Sequence, residues 1–304
     1  MTAIIQRTRK GFAYQDKFSL LKVLDFLLKK KLKSGFIDFS FGNNGQSIDL
    51  KLQFINGEHH IYEVKTGDNF INGGYKKIGE VIVANLAFIR ELKEESVTAY
   101  IVQPRNGIAM RELLDDITFV QGKKRKNKLG YNKKRVLEEC FENYGIRNSG
   151  YKLNEFESYL KSVILEHSHP YQNTPLLYSS TVLETVIQDY IRGIINNFNL
   201  GSTDFEMPIR YTYLELLETV RLASEKGSDI VYSLVNKFID DCARRGVIAN
   251  KNLNQNKDVL LKEQKVFFKR ECQELFNVSL ENANSKLDED IKFDSIKVTG
   301  NDNE

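Results

Sequence analysis

Glu63 and Lys65 stand two positions apart in IYEVKTG (residues 61–67), where they interrupt what otherwise has the composition of a buried strand. In an extended chain alternate side chains share a face, so the two charges point the same way, roughly 6–7 Å apart at ~3.3 Å per residue. A third charge precedes them. SIDLKLQF (47–54) alternates Ile48, Leu50, Leu52 and Phe54 against Ser47, Asp49, Lys51 and Gln53, which puts Asp49 on the polar face.

Whether Asp49 meets Glu63 depends on the turn between the two segments. A two-residue Asn56-Gly57 loop would set Asp49 opposite Val64 and Leu50 opposite Glu63, mixing polar and apolar faces. A three-residue loop, Ile55-Asn56-Gly57 with Gly57 in the left-handed conformation, pairs Phe54 with Glu58. Ile48 then meets Val64, Leu50 meets Tyr62, Asp49 lies opposite Glu63, and Ser47 lies opposite Lys65. Hydrophobic patterning thus selects the register that joins the acids. Opposed residues have Cβ atoms ~4.5–5.5 Å apart, and two carboxylates ~5 Å apart repel by ~3 kcal/mol at an effective dielectric near 20. A divalent cation is the natural third party at such a pair, because Lys65 alone supplies one positive charge against two negative ones.

Periodicity predicts the helices and strands around these residues. Phe18, Leu21, Leu24, Leu28 and Leu32 recur at helical spacing and predict a helix from Tyr14 to Lys33, with the Lys29–Lys33 run closing it at the negative end of the dipole. Strands are predicted at 36–41, 47–54 and 59–65 as an antiparallel meander. A helix over 74–94, a strand over 97–102, a break at Pro104 and a short helix over 108–116 leading toward 117–120 complete the order α-β-β-β-α-β. Beyond the basic stretch the chain reads as helical, at 182–198, 211–224 and 228–246, with no strand signal of comparable strength. The division expected is 1–122, a helical domain at 123–283, and a polar, flexible tail at 284–304. No internal repeat is evident.

Composition narrows the class. With 304 residues, 41% hydrophobic and 28% charged, the chain can bury a sizeable core. It shows no stretch of ~18 apolar residues and no signal-peptide h-region, so a cytoplasmic protein without membrane association is expected. Cys140, Cys242 and Cys272 are widely spaced and read as core residues rather than disulfides or zinc ligands. The net charge of +3 is small, but KKRKNKLGYNKKR (123–135) holds eight Lys/Arg in thirteen residues, enough to grip phosphate backbones or simply to form a solvated loop. No GxxxxGK[ST], GxSxG or GxGxxG occurs.

An aspartate followed by Glu63-Val64-Lys65 on the next strand, behind an N-terminal helix, resembles the PD-(D/E)XK nuclease superfamily. Gly11-Phe12-Ala13-Tyr14-Gln15 further resembles the GFxYQ motif of the CD-NTase-associated effector endonucleases and of the nuclease subunit of Lamassu-type anti-phage systems. The likeness covers roughly residues 8–120. It implies an α/β fold with a restriction-endonuclease-like core, a mixed sheet flanked by helices, followed by an all-α domain for regulation, oligomerisation or partner docking. It implies that Asp49, Glu63 and the Val64 carbonyl bind Mg2+, with Mn2+ able to substitute, that Lys65 activates water, and that Gln15 supports the site. The first helix departs from the pattern in lacking a glutamate in its early turns, which leaves the number of metals open. The length remaining after residue 122 suits a partner-controlled subunit better than a chain with its own cyclic-nucleotide sensor.

The implied activity is endonucleolytic cleavage of double-stranded DNA by a defence effector, activated by homo-oligomerisation or by a sensor protein complex. Lys123, Lys124, Arg125 and Lys126, with Lys76 and Lys77 at the second long helix, are the candidate DNA contacts. Two other readings stand beside it: a catalytically idle DNA-binding or assembly module in which Lys65 merely pairs with the acids, and a structure-selective repair or resolvase nuclease on the same fold. Of His59 and His60, one is expected to cover Leu52 and the other to face solvent, and His167 and His169 to lie in a loop.

Overall fold

The computed structural model describes residues 2–41, 46–65, 74–92, 96–103, 108–123, 132–167, 180–198, 209–249 and 256–278. The elements are α1 (Thr2–Leu28), β1 (Leu32–Phe41), β2 (Gln46–Phe54), β3 (His59–Val64), α2 (Gly74–Leu92), β4 (Val97–Gln103) and α3 (Ile108–Val120). They continue with α4 (Lys133–Asn143), α5 (Leu153–Ser162), β5 (Ile164–His167), α6 (Ser180–Asn197), α7 (Ile209–Lys226), α8 (Ile230–Ala249) and α9 (Lys257–Phe276). The fold is α/β and mostly helical, around one mixed sheet in the order β1-β2-β3-β4-β5. As expected, β1, β2 and β3 form an antiparallel meander, and β4 and β5 then add in parallel.

Both faces of the sheet are covered. On one, Leu32, Ile37, Leu50, Leu52, Phe54, Tyr62 and Val64 join a core with α1 and α6–α9. On the other, Phe41, Ile48, Ile61, Ala99 and Ile101 pack with α2–α5. Each large apolar side chain buried this way contributes ~1.5–3 kcal/mol. A strand covered on both sides loses the polar alternation of a half-exposed one, which is why β3 is buried at every position but His60.

Several elements differ from their sequence expectation. The first helix stops at Leu28, not Lys33, because Lys30 turns left-handed (φ 56°) and the Lys30 and Lys31 amides donate back to Leu27 O at 2.9 Å and Phe26 O at 3.2 Å. Leu32 keeps helical spacing in the sequence but pairs with Phe54, so β1 begins there. Residues 117–120 extend α3 instead of leading away from it. The segment after residue 123 does contain a strand, β5, four residues long and without readable alternation. With α4 and α5 it completes the sheet and the second core, whereas the later helices pack across the opposite face with α1. The predicted tail at 284–304 lies outside the described residues.

One crossing shapes the site. Alternation would keep Ile37, Phe39 and Phe41 on one face, yet Ile37 belongs to the first core while Phe39 and Phe41 pack in the second. The change falls at Asp38, whose φ is 49°. On the paired strand Leu50 stays in the first core and Ile48 passes to the second, so Ile48 does not meet Val64 as the alternation suggested. A left-handed non-glycine residue costs ~1–2 kcal/mol, least for Asp and Asn, and persists only where its surroundings hold it.

Close packing at α2 provides a direct check of this arrangement. A Cβ on Gly79 would come within 1.9 Å of the Tyr144 carbonyl oxygen, whereas one on Gly193, inside α6, would meet nothing within 4 Å. Gly79→Ala is expected to lower unfolding free energy by ~1–3 kcal/mol and Gly193→Ala to raise it by ~0.5–1 kcal/mol, as read from urea denaturation midpoints.

Candidate acidic site on the β2–β3 hairpin

The hairpin takes the three-residue form. Gly57 has φ 85°, its amide donates to Phe54 O at 3.1 Å, and the Phe54 amide donates to Glu58 O at 2.8 Å. Asn56 Oδ1 accepts from the Glu58 amide at 3.1 Å, fixing the turn from its own side chain. The register runs from Gln53↔His59 to Leu50↔Tyr62, in agreement with the sequence reading. Beyond Leu50 the strands part as β2 crosses to the other layer.

At that parting the three charged side chains converge. The amides of His59 and Lys65 donate toward the β4 side, to Ser96 O at 2.8 Å and Val102 O at 2.9 Å. The Val64 amide donates instead to Asp49 Oδ2, at 2.6 Å, so a carboxylate stands where a strand carbonyl would otherwise be. Lys65 Nζ then bridges both acids, 2.9 Å from Asp49 Oδ2 and 2.6 Å from Glu63 Oε2. Glu63 is only 3% exposed, and its Oε1 is buried with no hydrogen-bond partner among the described residues.

Burial dominates the electrostatics. It pushes the Glu63 carboxyl up from 4.5 to about 8, with the Lys65 charge opposing the rise and the Asp49 charge adding to it. Burial alone would lower the Lys65 ammonium, but the Glu63 and Asp49 carboxylates outweigh it and hold the group above its ordinary value. With all three groups ionised the cluster carries one net negative charge in a low-dielectric place. Protonation of Glu63 would neutralise it, as would a further cation.

The second layer contributes neighbours that the sequence did not disclose. Tyr159 of α5 is fully buried, accepts from Asn85 Nδ2 of α2 at 2.9 Å, and has its phenol pushed up by burial and further by the Glu63 charge. These residues are 74 positions apart and read simply as helix-face residues.

Other candidates are placed differently. Gln15 is buried within α1, but its amide donates to Asp38 Oδ1 at 3.0 Å on β1, and no bond from it to Asp49, Glu63 or Lys65 occurs among the described residues. Asp16 beside it is raised to about 6, by burial and then by the Asp38 charge. Lys76 and Lys77 are exposed, and Lys77 pairs with Glu80 at 2.6 Å. Lys123 is exposed, while Lys124, Arg125 and Lys126 lie outside the described residues. At the end of the basic run Lys133 and Arg135 pair with Glu157 and Glu139 at 3.0 and 2.9 Å.

The histidines and cysteines complete the survey. His60 lies across from Leu52 and packs against Phe54 in a tilted arrangement, with ring centroids 4.4 Å apart. His59 does not face solvent but is buried, because the second layer covers that face. His167 ends β5 instead of lying in a loop, and His169 is outside the described residues. All three cysteines are buried, as expected of core residues.

The oxygen donors suit a hard cation, and the orphaned Glu63 Oε1 is an available ligand atom. No group of three or more His, Cys, Asp or Glu side chains arranged to hold a metal occurs among the described residues, so any ion here would rely on two carboxylates and backbone oxygen. No described helix is long and apolar enough to cross a membrane.

No protein-family model and no curated protein matches the chain. Among solved structures it is similar to the Cap4 SAVED/CARF-domain receptor of Acinetobacter baumannii, with 3'3'3'-cAAA (14% identity, TM-score 0.38) and with 2'3'3'-cAAA (13%, 0.39). A third structure of that receptor gives 14% and 0.36. The matches cover 76%, 77% and 82% of this chain but only 44%, 45% and 48% of the receptor. The chain thus spans less than half the receptor's length, and likeness at this level assigns neither family nor ligand.

The raised Glu63 carboxyl has a signed consequence for stability. Its protonated form is favoured in the folded state, so its contribution is complete below pH 4.5 and is lost as pH rises toward about 8. Glu63→Gln, which removes the charge and keeps the shape, should gain stability over the parent by ~3 kcal/mol more at pH 8 than at pH 5, measured by urea unfolding at the two values.

Proposed function

We propose that the chain is a Mg2+-dependent endodeoxyribonuclease acting on double-stranded DNA, as the effector of an anti-phage or anti-plasmid defence system. One observation carries this reading: Asp49, Glu63 and Lys65 converge at the parting of β2 and β3, with Glu63 buried and its Oε1 without a hydrogen-bond partner among the described residues. A buried glutamate with an unbonded oxygen costs stability, since desolvation of a charge exceeds what one neighbour returns. Retention of such a group fits a site kept for chemistry. The resemblance of Asp49, Glu63-Val64-Lys65 and residues 11–15 to the PD-(D/E)XK effector nucleases supports the same conclusion.

In this reading Asp49, Glu63 and the Val64 carbonyl hold the metal, which when bound would stabilise charge on the scissile phosphate and the leaving oxygen. Lys65 orients the attacking water and accepts the constraint of both carboxylates. Gln15 supports the site only at one remove, through Asp38. The helices α6–α9 restrain the enzyme or dock it on a sensor partner or a second copy, and Lys76, Lys77 and the 123–126 stretch contact the DNA backbone.

A specific observation favours the idle module as the second reading. Lys65 already satisfies one oxygen of each acid, which is what a purely structural bridge would do. Incubation of the chain with supercoiled plasmid separates the two. Nicking that requires Mg2+ and falls at least ~100-fold in Lys65→Ala, a loss of ~3 kcal/mol of transition-state stabilisation, supports the nuclease; DNA binding without metal and without nicked product, in the presence of its native partners, supports the module.

A further inference from the structure

The C-terminal helices grip β1 at two places three residues apart. Asp229, between α7 and α8, accepts from the Gly35 amide at 3.2 Å and from the Val231 amide at 2.8 Å. Gly35 leaves no slack there, since a Cβ would lie 2.9 Å from side-chain atoms of both Ile230 and Leu52. Ser224, near the end of α7, donates its hydroxyl to Asp38 Oδ2 at 2.5 Å, and Gln15 of α1 holds the other oxygen.

Asp38 is also the left-handed residue at which the β1–β2 pair changes layers. The register sets Ile37 against Leu50 and Phe39 against Ile48, so Asp38 stands across from Asp49. A bend imposed on β1 at 38 is therefore imposed on β2 at 49. At 49 it decides whether the carboxylate reaches the Val64 amide and Lys65. Among the described residues, the Ser224 and Gln15 bonds are the side-chain contacts that offset the unfavourable backbone conformation of Asp38.

We propose that Asp38 is a positioning residue through which the α7–α8 corner sets the orientation of Asp49, so that displacement of this corner by a partner disorders the acidic site. What the site then loses rests on the nuclease reading, but the coupling from Ser224 to Asp49 does not. The two elements are linked by bonds and register, not by proximity alone.

The Val64 amide reports the coupling without any activity, because its acceptor is the Asp49 carboxylate. Hydrogen exchange at single-amide resolution on the full chain should show Val64 at least tenfold faster in Ser224→Ala and in Asp38→Gly, which keeps the left-handed backbone and removes both bonds. Asp38→Asn, which tolerates the same backbone and retains an acceptor oxygen, should stay closer to the parent. Lys237→Ala, which breaks the bonds to Glu215 and Asp241 within the same two helices, should leave Val64 unchanged. Mg2+-dependent nicking should fall in parallel with Val64 protection. Faster Val64 exchange in the variants of a parent chain that itself never nicks DNA, even with its native partners, would remove the nuclease reading and keep the coupling. Unchanged Val64 exchange in Ser224→Ala and Asp38→Gly would overturn it, as would equal acceleration of all β2 and β3 amides in Lys237→Ala; if Asp38→Gly fails to fold, Ser224→Ala alone decides.

Discussion

A glutamate side chain sits in the interior of this protein at 3% exposure, and the groups that meet it answer to its desolvation. Desolvation of a carboxylate is among the most costly events in folding, and it is tolerated only where compensating groups are fixed in position. Lys65 supplies the compensation, and its Nζ is anchored by Asp49 as well as by Glu63. Asp49 in turn is held by the Val64 amide, which is open to it because β2 leaves β3 after Leu50. Each member of the cluster is thus restrained by the next, and the chain of restraint ends in the backbone of the sheet.

The sheet can provide that restraint because it is covered on both sides. The layer of α2–α5 buries Glu63 and brings Tyr159 and Asn85 near it, while α1 and α6–α9 clamp the opposite face through Tyr62 and Val64. The crossing of the β1–β2 pair between the two layers at Asp38 and Asp49 opens the gap that the cluster occupies. A flat, regular hairpin would have continued its ladder through Asp49 and left the Val64 amide to a strand carbonyl.

Local readings of the chain succeeded where short-range physics decides. The three-residue hairpin followed from apolar alternation in 47–54 and 59–64 together with a glycine where a left-handed residue is required, and the observed register agrees. The convergence of Asp49, Glu63 and Lys65 was legible for the same reason, since one turn joins them. Readings failed where a distant partner intervenes. Leu32 keeps helical spacing but is taken by Phe54, and Ile48 keeps the alternation of Leu50 but is drawn to the other core. The strand at Ile164–His167 exists only because β4 offers it an edge.

Local patterning specified which residues carry charge on the hairpin's polar face, the three-residue turn between the two strands, and a helix ahead of a three-stranded meander. These are consequences of side-chain alternation and of glycine's access to positive φ, both local properties. Long-range packing settled how deeply Glu63 is buried, that Gln15 turns to Asp38 instead of to the acids, and that Ser224 and Asp229 reach β1 from nearly two hundred positions away. Burial and long-range hydrogen bonds depend on which surfaces pack together, and apolar periodicity specifies that a helix face is buried without specifying what covers it.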